Sequence, residues 1–294
     1  MKIMDWGVGT NPGVIIEATM GEKKKQEGAR RQALYRKYRS RSLEEIVGQE
    51  HVTKTLAGAL KKQKISHAYL FTGPRGTGKT SIARILAHAI NELPYDGATS
   101  HLDIIEIDAA SNRRIDDIRD LREKVHIAPI SAKYKVYIID EVHMLTNESF
   151  NALLKTLEEP PAHVIFMLAT TEVHKLPATI LSRVQRHALR LIARDKVIKH
   201  LKYIADEEGI SIDDEAVTLL AEHGGGSLRD SESLLDQISA SGEHISVETV
   251  QATLGIAPNT LITSLLDSTL AGSAKETLVL LRQVLSSGLT PSVV

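Results

Sequence analysis

The sequence contains no cysteine among its 294 residues. Disulfide bonds and thiolate zinc sites are therefore excluded. The sequence also lacks any run near the ~18 consecutive apolar residues that a membrane-spanning helix needs, and its first residues lack the apolar centre of a signal peptide. We therefore expect a cytoplasmic protein that makes no membrane contact.

Neither sign of charge is in clear excess. The chain has 36 Lys and Arg against 37 Asp and Glu, a formal net charge of −1. This balance neither supports nor forbids nucleic-acid binding, so any such contact must come from a local basic surface. The length suggests about two domains, and 42% apolar residues are enough for ordinary buried cores.

A glycine-rich segment after a short apolar run is the most informative feature present. It reads Gly73-Pro74-Arg75-Gly76-Thr77-Gly78-Lys79-Thr80, with Ser81 opening a helical pattern. Its glycines let successive backbone N–H groups point at a polyphosphate, and the following helix adds its positive dipole end. We predict a nucleotide-binding loop over residues 73–81, with Lys79 on the β- and γ-phosphates and Thr80 on Mg²⁺.

A pair of acids follows a second apolar run, about 60 residues after the loop. Asp140 and Glu141 end the segment that begins at Val136. The carboxyl ends of parallel strands are where open α/β sheets bind ligands. Asp140 is suited to hold Mg²⁺ and Glu141 to polarise an attacking water. His143 beside them is read as a structural or relay residue, with a catalytic role as the alternative.

Short β-branched runs alternate with helical patterns between residues 34 and 193. The predicted strands cover residues 68–71, 103–107, 136–139, 164–168 and 187–191. Buried strands separated by helices predict an α/β fold with a parallel, doubly wound, five-stranded sheet. Helical patterns over 195–208, 213–223 and 228–240 then predict a small helical domain at 194–256.

The two ends of the chain differ from this pattern. Residues 1–33 are interpreted as a mobile arm whose basic cluster is solvated, with nucleic-acid contact as the alternative. Residues 257–294 carry helically spaced leucines that are too few to form a core alone. We expect this last segment to pack on something else.

Several further segments carry a family resemblance. They are Tyr35–Arg39, Val47–Val52, Glu106–Asn112, Asp140–Leu145, Phe150–Pro161, Ala169–Thr171 and Gly226–Asp230. From about residue 34 to 237 the chain resembles the gamma/tau subunits of the bacterial DNA polymerase III clamp loader. The resemblance implies an AAA+ P-loop domain, a helical lid and the start of a helical collar.

The resemblance also implies a function. Members of the family act as ATPases in a pentameric ring that uses ATP and Mg²⁺ to load a sliding clamp onto primed DNA. The implied partners are other clamp-loader subunits, the clamp, primed DNA and the DNA polymerase holoenzyme, with nucleotidyl transfer belonging to the holoenzyme only. The connection over residues 91–102 is short and cysteine-free, so the four-cysteine zinc module usual in the family is missing and no zinc is expected.

Site roles carry over by position. Thr171 resembles the first sensor of the γ-phosphate, Arg229 the second sensor, and Arg183 the arginine finger that reaches a neighbouring subunit's ATP. Tyr38, Val47 and Gly48 would lie by the adenine, and Arg113 and Arg114 would contact DNA phosphates. The residues themselves also point to Arg229: Ser227 and Asp230 look like a helix-start pair, and a cation in a first helical turn suggests a nearby anion.

Other functions share parts of this pattern. One alternative is a low-activity structural subunit of the same ring, against which the intact loop and acid pair argue. Another is a different ring ATPase such as a branch-migration helicase, which would share the loop and sensors. A small-molecule kinase of the same loop class leaves the sensor residues unexplained.

Overall fold

The computed structural model describes residues 32–97, 101–111, 121, 123–240, 242, 244–255 and 259–286. The chain divides into two compact units, Met1–Ala33 and Leu34–Val294, and the fold described here is that of the second. In these ranges, no helix is both long enough and apolar enough to cross a membrane.

Helices and strands of the described ranges are numbered in chain order. The strands are β1 Ala68–Thr72, β2 Ile104–Asp108, β3 Lys135–Asp140, β4 Val164–Thr170 and β5 Gln185–Ala188. The helices are α1 Leu34–Lys37, α2 Glu50–Lys61, α3 Lys79–Ile90, α4 Asn147–Glu158, α5 Ala178–Leu181, α6 Arg194–Glu208, α7 Asp214–His223, α8 Leu228–Ser239, α9 Val247–Leu254, α10 Asn259–Leu270 and α11 Ala274–Ser286.

The described strands form one parallel sheet in the order β2-β3-β4-β1-β5. The predicted parallel five-stranded sheet is confirmed. All residues of β1 and β4 are buried, because helices cover both faces, and such strands read as continuous apolar runs. The carboxyl ends share one edge, where Thr72 pairs with Thr170 and Asp108 with Asp140.

The last strand was predicted at 187–191 but lies at Gln185–Ala188, so the prediction was wrong by two residues at its start and three at its end. β5 ends at Ala188, and the apolar residues after it leave the ladder. Leu189 still donates its N–H to the Thr72 carbonyl at 2.7 Å, but Ile192 donates to the carbonyl of Gly226 at 3.0 Å. The segment from Leu189 to Ile192 therefore connects the sheet to the following helices.

Two layers of helices enclose the sheet. On one face α2 and α3 bury Val52, Leu56, Ile82 and Leu86 against it. On the other face α4 and α5 bury a second cluster: Phe150, Leu153, Leu157 and Ile180, with Leu121 and Val125. The doubly wound arrangement leaves the carboxyl edge of the sheet open between the layers.

A separate apolar core lies in the helices after the sheet, which we call the lid (α6–α9). Its buried members include Val197, Leu201, Ile204, Val217, Leu220, Leu235 and Val250. The three helices predicted here are confirmed, and α9 is added. Helix α1, although it precedes the sheet, contributes Leu34 to this core, where that side chain is 1% exposed.

Helices α10 and α11 form a pair at the end of the described chain. Val284 is buried against Leu261, Ile262 and Leu265. Leu270 and Leu278 are exposed. The predicted helical spacing of the leucines is confirmed for this segment.

Candidate nucleotide-binding site

The glycine-rich segment forms the loop between β1 and α3. At Gly73, with φ +147°, an added Cβ would lie 2.5 Å from the Leu189 carbonyl oxygen. At Gly76, with φ +71°, it would lie 1.8 Å from Ser227 Oγ of the lid. Both positions therefore require glycine, because the loop passes directly beneath neighbouring chain. The first turn of α3 leaves backbone N–H groups without helical partners, as an anion site requires.

The Lys79 side chain is folded into this loop. Its Nζ donates to the Pro74 carbonyl oxygen at 2.9 Å, and Thr77 Oγ1 donates to the same oxygen at 2.8 Å. Burial lowers the pKa of Lys79, while the nearby Glu141 and Asp140 charges oppose this. The residue is 6% exposed, so its cation lies in a poorly solvated position beside two acids. Such a cation can interact strongly with an anionic ligand.

Thr80 and Asp140 meet at the carboxyl edge of the sheet. The hydroxyl of Thr80 donates to Asp140 Oδ2 at 2.7 Å. Burial raises the pKa of Asp140, whereas this bond and the N–H of Glu141 at 2.9 Å from Oδ1 lower it. One hydroxyl and one carboxylate, brought together from α3 and β3, are oxygen ligands of the kind that Mg²⁺ prefers.

Glu141 begins the turn after β3 in a left-handed backbone conformation, with φ 45° and ψ 44°. Its Oε2 accepts from the Thr171 hydroxyl at 3.1 Å and from the Thr171 N–H at 3.4 Å. His143 Nδ1 lies 3.4 Å from the same oxygen and 2.9 Å from Thr170 Oγ1. The carboxylate is thus held between β3 and β4 at the edge of the sheet.

A cleft with a cavity volume of about 160 Å³ lies between the loop and the lid. Its lining residues are Tyr35, Tyr38, Arg39, Ser40, Ile46, Val47, Arg75 to Ser81, Asp140, Glu141, His200, Leu228, Arg229 and Glu232. The candidate phosphate, metal and lid residues therefore face one space.

Arg229 lies in the first turn of α8. The predicted helix start at Ser227 is confirmed, since its hydroxyl accepts from the Asp230 N–H at 3.2 Å. The guanidinium carbon of Arg229 lies 5.2 Å from the centre of the Tyr35 ring, a cation–π contact. This holds the cation at the lid side of the cleft.

The three residues predicted to lie by adenine are placed differently. Tyr38 and Val47 line the cleft. Gly48 does not line it; its φ is +79°, and an added Cβ would lie 3.0 Å from Ile192 Cγ2. Gly48 permits a close approach of the chain leading into the lid. Gly73, Pro74 and Thr171 are also absent from the lining.

Arg183 lies away from this cleft, after α5. Its guanidinium donates to Glu158 Oε1 at 2.7 Å and to the Thr179 carbonyl oxygen at 2.8 Å. The Arg183 side chain is one-third exposed. Arg183 is not among the residues that line the cleft.

Comparisons with known proteins identify the family. Residues 48–193 match the family DNA polymerase III, delta subunit, and residues 196–244 match DNA polymerase III clamp loader subunit, ATPase lid domain. The DNA polymerase III subunit gamma of Buchnera aphidicola is 40% identical over 274 residues, which cover 87% of this chain and 75% of that protein. The chain belongs to the DNA polymerase III gamma/tau family.

Gamma/tau relatives extend beyond the present sequence. The subunit tau of Bacillus subtilis is 48% identical over 276 residues, which cover 89% of this chain and 49% of tau. The tau of Escherichia coli is 44% identical over 273 residues, which cover 88% of this chain and 42% of that protein. The chain therefore spans about half the length of these tau relatives.

The fold is the AAA+ fold with a helical lid. The Thermotoga maritima RuvB Holliday junction branch migration motor has a TM-score of 0.59 to this chain, with 22% identity and 79% of each chain covered. At this identity the likeness shows the fold alone.

The residues of this gamma/tau family member fit a magnesium-bound nucleoside triphosphate. The loop has glycines where an added Cβ would collide, and Lys79 supplies a cation beside it. Thr80 and Asp140 supply oxygen ligands. In the described part of the chain, no group of three or more His, Asp or Glu side chains is arranged to hold a metal by protein ligands alone.

Some of the site could not be read from sequence patterns. Gln49, which is 0% exposed, donates through Nε2 to the Arg190 carbonyl at 2.7 Å and contacts the Thr77 carbonyl at 3.5 Å. It ties the loop to the segment after β5. His200 and Glu232 join the cleft from two lid helices. No local signal marks the contacts of these residues, because the groups that they contact are distant in sequence. Arg113 and Arg114 lie outside the described residues.

Proposed function

We propose that this chain is the ATP-hydrolysing subunit of a DNA-replication clamp loader, which uses ATP binding and hydrolysis to load a sliding clamp onto primed DNA. Membership of the gamma/tau family supports the assignment. The observation that carries ATP hydrolysis is the 2.7 Å contact between Thr80 and Asp140 in a cleft also lined by Lys79 and Glu141. A subunit that only scaffolds the ring has no use for both.

Each residue has a role in this proposal. Bound Mg²⁺ would neutralise charge on the β- and γ-phosphates. Lys79 and the N–H groups of residues 75–80 bind the phosphates, and Thr80 and Asp140 hold the metal. Glu141 orients and polarises the attacking water, since phosphoryl transfer depends on positioning and charge more than on covalent help.

The remaining polar residues report on the nucleotide. Thr171, whose hydroxyl donates to the Glu141 carboxylate, is the first sensor of the γ-phosphate. Arg229 is the second sensor, from the lid. Arg183 completes the site of a neighbouring subunit.

The proposal extends to organisation and partners. We divide the chain into an arm at 1–33, an AAA+ core at 34–193, a lid at 194–256 and the start of a collar at 257–294. The matched ranges and the separation after Ala33 support these limits. The partners are other clamp-loader subunits, the sliding clamp, primed DNA through Arg113 and Arg114, and the polymerase holoenzyme in the cytoplasm.

ATP turnover by the chain assembled with its partner subunits tests the function. We expect turnover to rise when the clamp and primed DNA are added together, and to fall to background in Lys79→Ala. Lys175→Ala, which changes an exposed lysine paired with Glu172, is the matched control. Turnover that ignores clamp and primer, or branch migration of four-way DNA, would contradict the loader assignment.

A further inference from the structure

A buried pair of titratable side chains lies in the lid wall of the cleft. His200 of α6 and Glu232 of α8 approach to 2.7 Å between Nε2 and Oε1. Their side chains are 15% and 8% exposed, and both line the cleft. None of the roles proposed above uses this pair.

The position of Glu232 on α8 is one where an apolar residue would pack. Leu228, Glu232, Leu235 and Ser239 follow one another at the spacing of the buried face. Burial raises the pKa of Glu232, and the bond with His200 opposes the rise. Because replacing a buried ion pair with apolar side chains is often neutral or stabilising, the pair is a poor device for holding the lid together.

Glu232 lies further along α8 than the turn that meets the glycine-rich loop. The helix begins over the loop, where an added Cβ at Gly76 would touch Ser227 Oγ. Glu232 is five residues further on, about 7.5 Å along the axis at the usual rise per residue. The cleft lining also includes the apolar residues Val47 and Leu228, as a nucleoside would need.

One oxygen of Glu232 is available there. Oε1 contacts His200, while Oε2 has no hydrogen-bond partner among the described residues. An ionised carboxylate can only accept hydrogen bonds. The available ligand groups with N–H or O–H donors at this end of a nucleotide are the amino group of the base and the ribose hydroxyls.

We propose that Glu232, oriented by His200, accepts a hydrogen bond from the nucleoside part of the bound nucleotide and so selects which nucleotides bind. Glu232 is the specificity-determining residue and His200 the positioning residue. This inference rests on the proposed function, since it assigns one more contact in the same site. A hydrogen bond to a charged acceptor corresponds to a tenfold to 100-fold change in affinity, roughly.

Calorimetric binding of ATP and three analogues to the whole chain tests this. ATP is compared with purine riboside triphosphate, which lacks the amino group, and with 2′-deoxy- and 3′-deoxy-ATP. In the unmodified chain we expect one analogue to bind about tenfold or more weakly than ATP, which also tells base from ribose. Glu232→Leu should bind ATP and that analogue equally. His200→Ala should reduce the ratio of the affinity for ATP to the affinity for that analogue. His200→Gln, which keeps a donor, should restore part of this ratio.

Controls separate the inference from the function beneath it. Glu222→Leu removes an exposed lid carboxylate that pairs with Arg194 and does not line the cleft, so its ratio should match the unmodified chain. Thermal unfolding checks that each variant is folded. Equal binding of all analogues by the unmodified chain, or discrimination that survives in Glu232→Leu, overturns the inference alone. No ATP binding at all would overturn the proposed function as well.

Discussion

Glu141 is the residue whose local conformation is most unusual for its type at the site. Its left-handed backbone is uncommon for a residue with a Cβ and costs of order 1–3 kcal/mol. The conformation turns the chain directly after Asp140, so that adjacent acids serve different groups: Asp140 contacts Thr80, and Glu141 contacts Thr171. This turn fixes the positions of both carboxylates.

Glu141→Gln separates binding from hydrolysis. The amide keeps the size and the Thr171 contact but cannot act as a base, so ATP affinity should be unchanged while turnover falls about 10²–10⁴-fold. Calorimetry and phosphate release measure the two effects. Glu172→Gln, which changes an exposed neighbouring acid paired with Lys175, should leave turnover unchanged. Full turnover by Glu141→Gln would exclude the water-activating role.

At the scale of the element, the start of α8 links the lid to the phosphate loop. Ser227 caps the helix, and its hydroxyl lies where a side chain at Gly76 would have to be. The same first turn carries Leu228 and Arg229 into the cleft. We therefore expect helix capping and nucleotide binding to be coupled at Ser227.

Ser227→Ala should reduce both properties. Loss of a serine cap costs about 1 kcal/mol of unfolding free energy, and ATP should bind up to about fivefold more weakly because the turn that carries Arg229 frays. Ser246→Ala is the matched control, because Ser246 caps α9 in the same way and lies outside the cleft. Urea unfolding should show a similar loss of unfolding free energy for both variants. If the two also bind ATP alike, the coupling is absent.

Elements defined by local chemistry were predictable from the sequence. Strands β1, β3 and β4 are continuous apolar runs because both faces are covered, and the cap at Ser227 has its own local pattern. β5 was misplaced, since Leu189 and Leu191 are apolar for reasons outside the sheet ladder. Gln49, His200 and Glu232 were missed because the groups they contact lie 28 to 141 residues away. Such pairings depend on the assembled fold.

At the scale of the whole molecule, Arg183 belongs to a different surface from the cleft. It is bound to Glu158 on that surface, with both side chains partly exposed. An exposed pair of this kind is worth little, about 0–1 kcal/mol, so a triphosphate on a neighbouring subunit could replace it readily.

Arg183→Ala should affect the assembled ring only. ATP binding by the single chain should be unchanged, whereas hydrolysis in the ring should fall by about 10³–10⁵-fold if the guanidinium completes the adjacent site. Arg194→Ala, an exposed arginine paired with Glu222, should have no such effect. Assembly is checked by sedimentation. A ring of the variant that hydrolyses ATP at full rate would disprove the finger assignment.

The contribution of α1 to the lid makes that lid discontinuous along the chain. Leu34 belongs to its core, and Tyr38 donates to Glu208 at the end of α6 at 2.6 Å. A peptide excised at 194–256 would consequently have a hole where Leu34 packs. Exchanging lids between relatives would require transplanting two separate pieces of sequence, one from before the sheet and one from after it.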